Sequence, residues 1–250
     1  MKQPLFTMLP FSVPNPALPV IPSADFVRLR PNLEYGAYGH WLFGGSSASL
    51  AEGVNGRALT LQSDGVSYPN ASYLNMSMTL GKALISDFGE VAAQTDTICA
   101  VVRLNQANDA TRTIIGSINT TTGGSIFVSA GPALFQNQRG FTSAGTQSTG
   151  VAQTTDWRFM AMSRDFASAT RRTAILIGGS TEFVVNPTGT YAPTPGAVAL
   201  GSAYSLGGTA GLTMDVAEFQ IYSHAMGTAE LATLYQRSRD RMALRGITVV

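Results

Sequence analysis

The chain has 250 residues, 44% of them hydrophobic, which is enough apolar surface for a large core and argues against intrinsic disorder. Charged residues make up only 12%, with 16 basic against 15 acidic side chains and a formal charge of +1. That is about half the roughly 25% charge of ordinary soluble domains; it points to a subunit of an assembly and excludes the broad basic footprint of a nucleic-acid binder.

The opening segment MKQPLFTMLPFSVPNP carries Pro4, Pro10, Pro14 and Pro16, so it has no continuous apolar run and is not read as a signal peptide; synthesis without export is expected. Seven of the 12 prolines fall before position 32, a density that forbids helix and central strand. An extended, polyproline-like arm is therefore predicted over 1–32. Its apolar residues, among them Leu5, Phe6, Leu9 and Phe11, suit docking either over the edge of its own domain or on a neighbouring chain. No run approaches the roughly 18 apolar residues of a membrane-spanning helix.

From residue 33 onward the pattern is one of short apolar or alternating runs broken by Gly, Asn, Asp, Ser and Thr, which predicts strands joined by turns. The clearest runs are 97–104, 113–118, 125–129, 157–163, 173–177, 182–185, 198–200 and 214–222. In the run from Trp157 to Ser163, and again in DVAEFQIY (215–222), both faces carry apolar groups, as expected where two sheets stack. Both tryptophans, Trp41 and Trp157, are assigned to core strands. Cys99 lies in an apolar run and reads as a buried, inert thiol.

One helix is predicted, over about 228–245. Thr228 is its candidate cap, Glu230 favours its first turn, and Arg245 with Gly246 closes it. Leu231, Leu234, Tyr235, Ser238 and Met242 follow the 3, 4, 7 spacing of one buried stripe. Arg237, Arg239, Arg241 and Arg245 fall partly on the opposite side, which reads as a solvated surface or, more sharply, as a contact for an acidic partner.

The segment DVAEFQIYSHAMGTAELATLYQRSRDR (215–241) resembles the closing motif of laminin G-like and concanavalin A-like domains. Phe219, Ile221 and Tyr222 match its strand, Ala225 and Met226 its turn, and Glu230, Leu231 and Tyr235 its helix. Upstream, DWRFMAMSRD (156–165), RTAILIGGSTEF (172–183) and ALGSAYS (199–205) resemble, in the same order, the family's Trp-bearing strand, its strand with a Gly turn and its Gly-Ser strand. HWLFGGSSASLAEGVNGRALTLQ (40–62) is similar to the opening segment of such modules in tailed-bacteriophage tail and receptor-binding proteins. The resemblance implies an all-β, two-sheet antiparallel jelly-roll sandwich over 33–250, with one C-terminal α-helix.

Glycan hydrolases of the jelly-roll family place carboxylates on alternate residues of one strand. Here the nearest pairs, Asp87 with Glu90 and Asp215 with Glu218, are three apart, which on a regular strand turns them to opposite faces. No Gly-x-Ser-x-Gly elbow or phosphate loop occurs, and Gly123, Gly124, Ser125, Gly207 and Gly208 read as turn material. His40 and His224 lack metal-ligand spacing. The family often holds calcium at the sandwich rim; Asp64, Asp96, Asp109 and Asp165 are dispersed, so a calcium ion is allowed for but not placed. Tyr68, Tyr73, Tyr191 and Tyr204, in turn-like contexts, are the candidate sugar-stacking aromatics.

No catalytic, cofactor-binding or metal-ligating residue is assigned. The expected function is a non-catalytic structural or adhesive virion protein, a bacteriophage tail component assembled in the host cytoplasm. It would be oligomeric, contacting sister copies or other virion proteins through its arm, and able to bind a cell-surface glycan. The alternatives are a lectin-like carbohydrate-binding module outside a virion and, third, a glycan hydrolase.

Overall fold

A computed structural model describes residues 33–34, 36–106, 110–129, 131, 133–143, 145–179, 181–205 and 211–250. Leu33–Val250 is one compact unit; the expected arm over 1–32 lies outside the described residues. The first strands are β1 (Gly39–Leu42), β2 (Thr60–Leu61), β3 (Val66–Asn70), β4 (Tyr73–Ser77), β5 (Leu84–Gly89), β6 (Thr95–Leu104), β7 (Arg112–Gly116) and β8 (Gly124–Val128). Then come β9 (Ala133–Gln138), β10 (Phe141–Ser143), β11 (Thr146–Ala152), β12 (Arg158–Asp165), β13 (Arg172–Ile177), β14 (Thr181–Val185), β15 (Thr188–Gly189), β16 (Ala197–Leu200) and β17 (Thr213–Tyr222). A single helix, α1, spans Thr228–Ala243.

One sheet runs β14-β13-β12-β6-β17-β4-β3, with β1 also paired to β17; the second runs β11-β9-β8-β7-β16-β5-β2; β10 and β15 form a two-stranded ribbon. The paired strands are antiparallel. This is the two-sheet sandwich with one C-terminal helix that the sequence predicts. In the eight-stranded sheet, Ile98, Ala100 and Val102 of β6 and Met160 and Met162 of β12 point between the sheets and join the larger apolar cluster. Their neighbours Cys99, Val101, Phe159 and Ala161 belong to a second cluster.

That second cluster corrects the reason expected for the two-sided strands. The outer face of this sheet is apolar because Leu231, Leu234, Tyr235 and Met242 of α1, with Ile247 and Val249 beyond it, cover it. At roughly 1.5–3 kcal/mol per large apolar side chain buried, this stripe fastens the helix to the sheet. Cys99 is fully buried under it, and burial pushes its thiol well above the ordinary range. Trp41 stacks on Phe219 at 5.5 Å, and Trp157 precedes β12 rather than lying in it, packed edge-on against Tyr73.

β17 contains a bulge. Against β6, Val216 faces Val102 while Glu218 faces Val101, so Ala217 is the extra residue. Met214 and Val216 face inward before it, and Phe219 and Ile221 after it. The side-chain parity reverses, and Asp215 and Glu218 therefore share the outer face instead of opposing each other. Asp215 pairs there with Arg103, and Glu218 with His40 and Arg241.

The helix ends also differ in part from expectation. The cap is Gly227, whose N–H donates to the Glu230 carboxylate at 2.8 Å, and Thr228 is already helical. At the far end Gly246 takes φ 74°. There Ile247 N–H donates to Met242 O at 3.0 Å and Gly246 N–H to Ala243 O at 3.1 Å, the pair of bonds of a Schellman closure. The arginines are not a uniform solvated face. Arg241 is buried, donating to Glu218 at 2.6 Å and Glu34 at 2.9 Å. Arg237 also pairs with Glu34, and Arg245 donates to the carbonyls of Ala217 and Phe43.

Candidate binding groove

At one rim of the sandwich, β9 leaves its sheet through Arg139 and Gly140 and returns as β10. Gly140 has φ 88°, and a Cβ there would sit 2.4 Å from Thr190 O, so the turn needs glycine. Three backbone bonds lock the corner: Arg139 N–H to Gly123 O (3.0 Å), Ala192 N–H to Arg139 O (3.0 Å) and Gly123 N–H to Ala192 O (2.7 Å). Gly123 is thus turn material, as read, and also part of this cradle, whereas Gly124 and Ser125, read the same way, are the buried first residues of β8. Gln138 N–H donates to Gly145 O, and the hydroxyls of Thr142 and Ser143 meet that of Thr188 across the β10–β15 ribbon. The result is an open groove of about 350 Å³ lined by residues 137–143, 145 and 146.

The lining is polar. It holds the Asn137 amide, the hydroxyls of Thr142, Ser143 and Thr146, the Arg139 side chain and the half-buried Phe141 ring. Asn137 Oδ1 is buried and accepts no hydrogen bond; Gln138 is occupied by a buried Thr173 hydroxyl. Phe141 is braced edge-on by Phe166 at 5.0 Å and lies 5.9 Å from Tyr191.

A buried ionic cluster stands behind that wall. Arg164 donates to Asp96 (2.5 and 2.8 Å), to Glu90 (2.7 Å) and to Tyr191 Oη (2.9 Å), and Tyr191 donates to Glu90 at 2.8 Å. Burial alone would lower the Arg164 pKa; Asp96, Tyr191 and Glu90 outweigh it and hold the group well above its ordinary value. Arg164 is therefore a fixed cation. By pinning Tyr191 it fixes the aromatic stack on which Phe141 rests.

The side chains singled out from the sequence do not converge here. Of the candidate sugar-stacking tyrosines, Tyr191 is buried in the ionic cluster, Tyr68 lies in β3, Tyr73 opens β4, and Tyr204 donates to Ala197 O. Asp96 is committed to Arg164, Asp165 accepts from Ser168 N–H, and Lys82 donates to Asp64 O. Asp109, Gly207 and Gly208 lie outside the described residues. Among the described residues no group of three or more His, Cys, Asp or Glu side chains could hold a metal ion. His40 Nδ1 accepts from Glu34 N–H at 2.8 Å and its Nε2 meets Glu218 at 2.7 Å. With both ring nitrogens occupied, His40 has no capacity left to serve as a general base. His224 is exposed, beside the Tyr222 ring.

No protein-family description matches the chain, and no curated protein matches it. Solved structures do. The binding domain of Paraclostridial Mosquitocidal Protein 1 aligns with a TM-score of 0.60 and 11% identity over 80% of this chain and 52% of that one. The botulinum neurotoxin serotype G binding domain gives 0.59 and 12% over 81% and 51%. The serotype D ligand binding domain in complex with N-acetylneuraminic acid gives 0.56 and 10%, again over 81% and 51%. The chain thus spans about half the length of the structures it matches, and at these identities the likeness is one of fold. What they support is the two-sheet antiparallel sandwich described above; the expected link to phage proteins is not among these likenesses.

Proposed function

We propose that this chain is a non-catalytic, lectin-like binding module that takes a glycan in the rim groove. The observation that carries the reading is the groove itself, where hydroxyls and an amide line a space beside one aromatic ring on a hydrogen-bonded corner, the mixture that a sugar with polar edges and an apolar face requires. Its lining holds no carboxylate, whereas glycoside hydrolysis of the usual kind needs two flanking the bond. The likeness to toxin binding domains, one of them solved with a sialic acid, supports the same reading. The test is a glycan array with the intact chain, with and without calcium, followed by titration of the bound glycan. Saturable binding that falls about tenfold in Asn137→Ala or Phe141→Ala, the loss expected for one contact, supports the groove. Absence of saturable binding to any glycan overturns it.

A second reading keeps the chain as a structural subunit of a virus particle, such as a phage tail, joined to its neighbours by residues 1–32. It is favoured by the 12% charge and by the proline density of that segment. Light scattering of the whole chain and of 33–250 separates the two: this reading requires an oligomer that the truncation dissolves.

A further inference from the structure

We infer that the groove selects an acidic sugar, with Arg139 as the group that receives its anionic substituent; this rests on the groove being the glycan site proposed above. Arg139 is the one charged residue of the lining. Its backbone is held at both ends, by Gly123 O and Ala192 N–H, so the position is set before any ligand arrives. Its side chain is not. The Nε is buried from solvent and donates to nothing, and among the described residues no carboxylate pairs with the guanidinium.

Arg158 Nε is likewise buried without an acceptor, though its Nη1 donates to Ala152 O at 3.0 Å; other arginines drawn wholly or partly out of water are paired more fully. Arg164 has Asp96 and Glu90, Arg241 has Glu218 and Glu34, Arg103 has Asp215, and Arg57 has Asp87. Arg112, fully buried, donates to the carbonyls of Ala110 and Gln106. Each is answered inside the fold, because a buried donor without an acceptor is unfavourable. Arg139 faces a concave space with no acid in it. A guanidinium fork is matched by a planar carboxylate or by two oxygens of a sulfate. A neutral sugar would leave that charge unanswered. Beside Arg139, the exposed hydroxyls of Thr142 and Ser143 suit the hydroxyls of a sugar ring. Anion, hydroxyl and the partly exposed Phe141 ring together describe a pyranose bearing one negative group.

The test uses the intact chain on an array pairing neutral glycans with their sialylated, uronic-acid and sulfated counterparts. The bound set should be acidic, which counterpart wins telling carboxylate from sulfate. Arg139→Gln should then weaken the leading glycan by about ten- to a hundredfold, and Arg139→Lys should retain part of the binding. Since the buried Nε makes no hydrogen bond and no ion pair holds the guanidinium among the described residues, the melting temperature of both variants should stay close to the parent's. Neutral glycans bound as tightly as their acidic counterparts, or an Arg139→Gln variant that keeps the acidic preference, would overturn the inference while leaving the glycan reading in place. Binding of no glycan would remove both.

Discussion

Arg164 and Arg241 are both guanidiniums taken out of water, and each is answered by two carboxylates: Asp96 and Glu90 for the first, Glu218 and Glu34 for the second. The first cluster lies behind the groove and braces Tyr191 and, through it, Phe141. The second lies between sheet and helix, where it joins α1 to β17 and to the segment entering β1. Buried ion pairs are weak sources of net stability, yet breaking one by removing a single partner is costly, since the other charge stays buried. What they supply is position. One fixes an aromatic wall and the other fixes a helix, whereas Arg139, in the lining of the groove, has no carboxylate partner among the described residues.

The sharpest way to break this comparison is Arg164→Met, which strands Asp96 and Glu90. A loss of about 3–5 kcal/mol, read as a lower urea midpoint, is expected, with weaker glycan binding as Phe141 loosens; a change under about 1 kcal/mol would show the cluster to be ornamental. On the helix side, burial would raise the Glu218 carboxyl, but the His40 hydrogen bond and the Arg241 charge outweigh it and bring the pKa from 4.5 down to about 2. A depressed carboxylate stabilises the fold above its unfolded value and loses that contribution as pH falls. Glu218→Gln should therefore be less stable than the parent by on the order of 3 kcal/mol at pH 7, with the gap shrinking between pH 4.5 and about 2. A gap that stays constant over that window would contradict the assignment. Ser238→Ala removes the acceptor of Gln220 Nε2 and of Arg241 Nη2, for about 1–2 kcal/mol in the same titration. Smallest, Gly246→Ala forces a side chain into φ 74°, at about 1 kcal/mol; an unchanged midpoint would mean the Schellman closure adds nothing to α1.

The strands from Thr95 to Leu104 and from Thr213 to Tyr222 were legible because their apolar residues carry the signal themselves, and so was the helix stripe, all five of whose residues are buried. The groove was not. β9 to β11 read ALFQNQRGFTSAGTQSTGVA, and Gln136, Gln138 and Thr149 are buried despite being polar, so hydrophobic alternation gives no warning of strands there. The one available hint was a pair of glycines, Gly140 and Gly145, around a short aromatic and hydroxyl run. The ionic clusters are invisible for another reason: Arg164 meets Asp96 and Glu90 across 68 and 74 residues of chain, and no local pattern encodes such a meeting. The Ala217 bulge leaves no mark either, which is why spacing alone set Asp215 and Glu218 on opposite faces.

Val250 N–H donates to Trp157 O at 3.0 Å, so the last residue is moored where β12 begins, while Arg164, seven positions along the same strand, stands behind the groove. A strand advances about 3.3 Å per residue, which separates mooring and mouth by roughly 20 Å along the sandwich. Anything fused after Val250, or a bead coupled there, would be attached about that far from the groove.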